Sequence, residues 1–196
     1  MGGVKNDITQ DCKRHGANFL LNLVHPNFVL VMCYRFSRFF RSKKLFLPLY
    51  VISQFIFKVF QYITGIQFSS LNVIGGGLKF YHHGTVVIAG DTIIGENCSI
   101  HQGVTLGRLF EGSKAGCPVV GDNVIIFAGA KLLGNISIGD NSVIGANAVV
   151  INDVPANAVV AGCPAKIVSD DSYKAVSKKT RIDYFKINNE NFNSSK

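Results

Sequence analysis

No two of the five cysteines (Cys12, Cys33, Cys98, Cys117 and Cys163) form a CxxC pair, their number is odd, and they are widely spaced. That argues against a disulfide framework or a zinc knuckle, and it predicts reduced thiols in a cytosolic protein. Charge is scarce as well. Only 16% of the 196 residues are charged and 47% are hydrophobic, which excludes a disordered chain and suits one substantial domain with a smaller appendage. The opening Met1–Gln10 is polar and glycine-containing where a signal peptide would be basic and then apolar, so none is expected. The net charge of +8 is unevenly placed: residues 1–65 hold nine Lys and Arg against two acids, residues 66–168 five against six, and the segment from Ser169 six against four. Nucleic-acid binding would need that charge in the groove of the main domain, interleaved with aromatic platforms. With the main domain near neutral, no nucleic-acid partner is expected.

What the chain does have is a repeat. An aliphatic residue recurs every six positions at Ile88, Ile94, Ile100 and Leu106, and again at Val120, Ile126, Leu132, Ile138, Ile144 and Val150. Two residues before each lies a small or apolar side chain, from Val86 and Thr92 to Ser142 and Ala148. A period of six fits neither a helix nor a hairpin meander, but it fits short strands joined by tight turns in a solenoid. Such turns need residues tolerant of positive φ, which accounts for the many Gly and Asn. Asp91, Asn97, Asp122, Asn135, Asp140 and Asn147 are placed to satisfy turn backbone. Three hexads make one triangular coil, so residues 18 apart should stack at about 4.8 Å. The stretch Arg108–Cys117 interrupts the period and reads as a loop thrown out from one corner, where function commonly sits on a rigid scaffold.

The domain plan predicted is a helical region over 1–64, a β-helix over 65–168 and a polar tail over 169–196, its last ten residues disordered. Asn27–Arg41 interleaves aromatic and basic residues as an amphipathic helix does, and Leu45–Ile63 carries Lys58 as its only charge, with Pro48 set to break its first turn. Three roles stay open for residues 28–63: a helical subdomain packed on the β-helix, a peripheral contact with the inner membrane face, or a spanning helix. The second would have Arg35, Arg38, Arg41, Lys43 and Lys44 facing anionic lipid.

Of the five histidines, His82 and His83 stand together in LKFYHHGTVVIAG, where the repeat register slips by two between Val86 and Ile88. An irregularity that holds adjacent histidines is a site candidate, and the stacking rule, counted 18 residues on from His83, puts His101 about one coil above the pair.

The runs HHGTVVIAGDTIIGENCSIHQGVTLG and GAKLLGNISIGDNSVIGANAVVINDVPANAVVAGCPAKIV resemble the serine acetyltransferase family of hexapeptide-repeat acyltransferases over about residues 65–168. Within it, the HHG run and the Cys-Pro after the loop look most like the polysaccharide O-acetyltransferases of the colanic acid type. The resemblance implies a left-handed parallel β-helix, a homotrimer, and acetyl-CoA as co-substrate in the groove between subunits, with no metal. It places the catalytic histidine on His82, with His83 as the alternative. A neutral imidazole is poised at cytosolic pH to take the proton of an attacking alcohol. For the cofactor, Ala128 and Ala146 match small residues along which pantetheine lies, and Lys166 matches a cation near the CoA phosphates. His101, Tyr81 and Gln67 are expected to touch the acceptor. Where the family pairs the base with an aspartate and holds an amino acid by acidic and histidine side chains, this chain has Gln67, Ser69, Tyr81 and Cys117. A sugar or polysaccharide precursor is therefore the expected acceptor and serine the alternative, with the enzyme in the cytoplasm, at the inner face of the membrane if residues 28–63 dock there. From other classes, a non-catalytic scaffold remains an alternative, as does a carbonic anhydrase needing three convergent histidines on zinc.

Overall fold

The computed structural model describes residues 4–15, 19–41 and 47–172. The expected disorder of the last ten residues and the lipid-facing role of Lys43 and Lys44 lie outside the described residues.

All ten aliphatic residues of the hexad series are buried, and they line a single core running the length of a left-handed parallel β-helix. The strands form three sheets, one for each wall of the coil. The first wall contains β1 (Ile66–Gln67), β4 (Val86–Ile88), β7 (Thr105–Gly107), β10 (Lys131–Leu133) and β13 (Val149–Val150). In the second wall are β2 (Val73–Ile74), β5 (Ile93–Ile94), β8 (Val119–Val120) and β11 (Ser137–Ile138). The third and widest holds β3 (Lys79–Phe80), β6 (Ser99–Ile100), β9 (Ile125–Ile126), β12 (Val143–Ile144), β14 (Val159–Gly162) and β15 (Ala165–Ser169). Every pairing is parallel except that of β14 with β15, which closes the solenoid with an antiparallel strand.

The corners follow from their residues. Asn97, Asn123, Asn141 and Asn157 have φ between 57° and 62°, and their side chains climb one corner as a ladder, Asn123 Nδ2 donating to Asn141 Oδ1 at 3.1 Å and Asn141 Nδ2 to Asn157 Oδ1 at 3.2 Å. Asp122 and Asp140 accept the backbone N–H groups of Glu96 and Asp122 one coil below. Asp91 departs from that pattern and pairs with Arg108 of the corner loop. The coil is not uniform. Regular pairs such as Ile125 with Val143 are 18 apart, pairs across the loop such as Thr105 with Lys131 are 26 apart, and pairs from the first coil such as Phe80 with Ile100 are 20 apart.

Among the described residues four helices precede the coils: α1 (Val4–His15), α2 (Phe19–Asn22), α3 (Pro26–Arg41) and α4 (Leu47–Thr64). α3 starts with Pro26 in the first turn, behind the carbonyl of His25 that accepts from Phe28 and Val29. Pro48 likewise starts α4 and does not break it, because a first-turn residue has no intrahelical N–H bond to lose. α1 and α3 are fixed to the first coil by a buried ion pair. The Arg35 guanidinium donates to Asp11 (Nε to Oδ2, 2.8 Å), to the Ile74 carbonyl (2.7 Å) and to the Gly75 carbonyl (2.6 Å), while Asp11 Oδ1 accepts from Gly77 and Leu78. Close approach of α1 needs glycine at position 76, where a Cβ would lie 2.9 Å from the Asp7 Cα.

This arrangement corrects the expected lipid-facing role of Arg35 and Arg38, whereas Arg41 is exposed. Arg35 is 1% exposed, and Arg38 turns inward to donate to the Asn72 carbonyl at 2.8 Å. Amphipathic spacing identified the helix, but the first coil's free carbonyls claim the guanidinium groups. Among the described residues no helix is long and apolar enough to cross a membrane.

Replacing Arg35 by Met would leave the Asp11 carboxylate buried without its cation. Loss of one partner of such a pair costs about 3–5 kcal/mol. Chemical denaturation of Arg35→Met should show a loss of that order; a loss within experimental error would mean the pair is not what fixes the helices.

Candidate active site

The two extra residues of the first coil fall in the segment that leaves β3 and turns into β4. Gly84 re-anchors that segment by donating to the Thr64 carbonyl at 2.9 Å, and the excess is taken up around His82 and His83. Both side chains are exposed, and they diverge. His82 lies beside His101 with ring centroids 6.1 Å apart, whereas His83 Nδ1 is 2.8 Å from Asn27 Oδ1 of α3. The Asn27 amide nitrogen donates to the Phe80 carbonyl at 3.2 Å, which leaves its oxygen to accept from His83. His83 therefore carries its proton on Nδ1 and presents a bare Nε2.

His101 does not stack on His83. The 20-residue offset of the first coil places it on Tyr81, with centroids 4.7 Å apart and planes at 7°, and its other face meets Phe127 at 5.1 Å. Burial in this stack, aided by the charge of His82, lowers its pKa to about 4, so the ring is neutral wherever His82 works as a base.

Backbone bonds in the third sheet align Tyr81, His101, Phe127, Gly145 and Ala161 in one column, and Lys166 pairs opposite Ala161 at its end. Aromatic rings give way to minimal side chains along it, and a Cβ on Gly145 would come within 3.0 Å of the Ala161 Cβ. Ala128 and Ala146 follow Phe127 and Gly145 by one residue and form the adjacent column, with Asn147 donating to the Ala128 carbonyl. From β3 to β15 the column spans five strand spacings, about 24 Å. The column thus runs from the histidines over small side chains to a cation, a sequence of surfaces that fits an extended arm carrying phosphates.

Gln67 is not part of this cluster. It is exposed on β1 and lines a cavity of about 470 Å³ with Lys58, Gln61 and Ser69, and no hydrogen bond joins it to His82. Tyr81 lines another cavity, of about 320 Å³, together with His15, His25, Asn27, Lys79 and His83. The sequence reading missed His15, His25, Asn27 and Lys79 as site residues, since they reach the pair from α1, the start of α3 and β3, and no motif links them. Cys117 is buried, and among the described residues no three His, Cys, Asp or Glu side chains are grouped to hold a metal ion.

Residues 117–152 match the family description "Bacterial transferase hexapeptide (six repeats)". The chain is 37% identical over 156 residues to a serine acetyltransferase of Synechococcus elongatus, covering 79% of this chain and 61% of that protein. It is 37% identical over 152 residues to a serine acetyltransferase of Helicobacter pylori, covering 76% and 85% respectively. Among solved structures, serine acetyltransferase of Neisseria gonorrhoeae in complex with serine superposes with a TM-score of 0.70 at 30% identity, covering 85% of this chain and 69% of that one. A serine acetyltransferase in complex with CoA gives 0.67 at 28%, covering 84% and 69%. The chain thus spans about three fifths of the length of the first of these relatives.

The depressed pKa of His101 has a consequence for stability. The unfolded ring takes a proton near its ordinary value, and the folded ring refuses it until about pH 4. The folded state should therefore lose stability as pH falls through that interval. His101→Phe, which keeps the stack, should flatten the curve; an unchanged slope in urea denaturation between pH 7 and pH 4 would show that His101 is not its source.

Proposed function

Because the chain belongs to the serine acetyltransferase family of hexapeptide-repeat transferases, we propose that it moves an acetyl group from acetyl-CoA to the hydroxyl of serine, with a histidine of the His82–His83 pair as general base. The observation that supports this most is the column in the third sheet, with the histidines at one end, small side chains at Ala128, Gly145 and Ala146, and Lys166 at the other. An acyl donor laid along it would bring its thioester to the histidines and its phosphates to Lys166. The serine hydroxyl attacks the thioester carbonyl and gives its proton to the imidazole, and the CoA sulfur leaves and takes that proton back. His82 is the position that the family resemblance favours. His101 and Tyr81, stacked beside it, present a neutral aromatic surface that keeps a second positive charge away from the imidazolium.

A sugar or polysaccharide precursor as acceptor is not carried forward. The relatives compared are named serine acetyltransferase, and one of them was solved with serine. The uncharged residues Gln67, Ser69, Tyr81 and Cys117 argue against serine only until Asn27, which reaches His83 from α3, is taken into account. The likeness to the hexapeptide-repeat serine acetyltransferases supports a homotrimer, in which a neighbouring subunit would face the column.

His82→Ala should lower turnover by about 10²-fold or more with acetyl-CoA affinity nearly unchanged, because the base acts in the transition state. Loss of activity in His83→Ala with His82→Ala still active would move the base by one residue, and full activity in both would refute a histidine base. Sedimentation should give a trimer; a monomer active on acetyl-CoA would rule out a shared groove.

A further inference from the structure

α4 lies against the coils with its polar side inward. Its buried stripe is Ser53, Phe57, Gln61 and Thr64, three of them polar. Neighbours take up the polar groups of this side: Gln61 Nε2 donates to the Phe68 carbonyl, Gln54 Nε2 to Ser70 Oγ at 2.8 Å, and Ser37 Oγ to Ser53 Oγ at 3.1 Å. The opposite side is apolar and faces outward. Ile52, Phe55, Ile56, Val59, Tyr62 and Ile63 are all exposed, Phe55 to 71% and Tyr62 to 85%, and they recur at the spacing of one helix face. A helix on a globular core has the reverse arrangement, with its apolar stripe inward. The start of the solenoid imposes the inversion, since the Phe68 carbonyl and the Ser70 hydroxyl need hydrogen-bonding side chains from the helix that covers them. The apolar face continues onto α3, where exposed Phe36 lines a groove of about 220 Å³ together with Leu49, Ile52 and Ile56. An apolar face of this extent marks a contact surface.

Charge says what the face meets. Between Asp11 and Asp91 the sequence holds nine Lys and Arg and no Asp or Glu. Arg14 and Arg35 are buried and Arg38 is tied to the Asn72 carbonyl, whereas Arg41 at the end of α3 and Lys58 at the flank of the α4 face are exposed. A second copy of the chain on this face would bring like charges together with no carboxylate on either helix to pair with them, because an isologous contact meets its own surface. An anionic lipid surface meets the same cations with opposite charge, and its acyl boundary takes up the apolar side chains. The 18 residues of α4 measure about 27 Å. Among the described residues no helix is long and apolar enough to cross a membrane, so α4 would lie in the plane of the interface.

We propose that the outer face of α4 docks the protein on an anionic lipid surface, with Phe55, Tyr62 and Ile63 inserted among the headgroups and Arg41 and Lys58 on lipid phosphates. The proposal stands on the helices alone and does not depend on the acetyl transfer proposed above.

The test is co-sedimentation of the full-length protein with vesicles of phosphatidylcholine alone and of phosphatidylcholine mixed with an equal part of phosphatidylglycerol. The native chain should bind the anionic vesicles at least about tenfold more tightly than the neutral ones, and added salt should narrow the difference. Phe55→Ser combined with Tyr62→Ser should lower binding to the anionic vesicles by at least about tenfold, because the inserted apolar area is lost. Arg41→Gln combined with Lys58→Gln should lower it by about tenfold or more on the anionic vesicles and leave neutral binding unchanged. All four side chains are exposed, so both variants should keep the native thermal transition. Absence of binding by the native chain overturns the proposal, and so does equal binding to the two kinds of vesicle. Binding unaltered by the Phe55 and Tyr62 substitutions overturns it as well. An assembly in lipid-free solution that falls apart in that same variant would give the face to a second copy and refute the lipid contact.

Discussion

Everything at the N-terminal end of this molecule depends on one buried ion pair. A solenoid has an open first coil whose backbone groups have no neighbouring strand, and in water those groups would fray. Here Arg35 takes the carbonyls of Ile74 and Gly75, Asp11 takes the N–H groups of Gly77 and Leu78, and the two charges neutralise each other. Each ion is desolvated, so the pair contributes little by burial alone. Its value lies in geometry, since four backbone groups of one corner are satisfied together only when α1 and α3 are both in place. The cavity beside His83 exists because of that docking: its walls come from α1, the start of α3 and β3.

The parts of the fold that repeat were the easiest to read. Ten hexad residues predicted ten buried positions, because period six leaves each coil no other way to turn its aliphatic side chains inward. Asparagines at the corners were legible for the same local reason: a side chain that tolerates positive φ is needed at each turn. Stacking by 18 brought His101 to the histidine pair, where it lies beside His82, but it missed the register. It presumes a regular coil, and the first coil carries two extra residues, so His101 meets Tyr81 and not His83.

Long-range polar contacts account for the rest of what was missed. Amphipathic spacing located α3 correctly, but spacing cannot say whether a guanidinium meets water, lipid or a coil's carbonyls, and Arg35 and Arg38 meet the last of these. Asn27 is 56 residues from His83 in sequence, and Lys79 is 65 from the Arg14 carbonyl it caps. No motif encodes such pairs, because each depends on how a helix lies against a strand. For the same reason the uncharged residues Gln67, Ser69, Tyr81 and Cys117 say nothing of Lys79, whose ammonium lies over the Tyr81 ring.

The column from Tyr81 to Lys166 behaves as a ruler with fixed graduations. From Tyr81 to Ala161 it crosses whole coils, each contributing one strand spacing of about 4.8 Å, and the antiparallel β15 adds the last spacing. The backbone distance between its ends could shorten only by removal of a whole coil and lengthen only by addition of one. Point substitutions can alter the chemistry at either mark, but the reach between the marks changes only in coil-sized steps. The reach of the column is thus stored in the number of repeats, where single mutations cannot erode it.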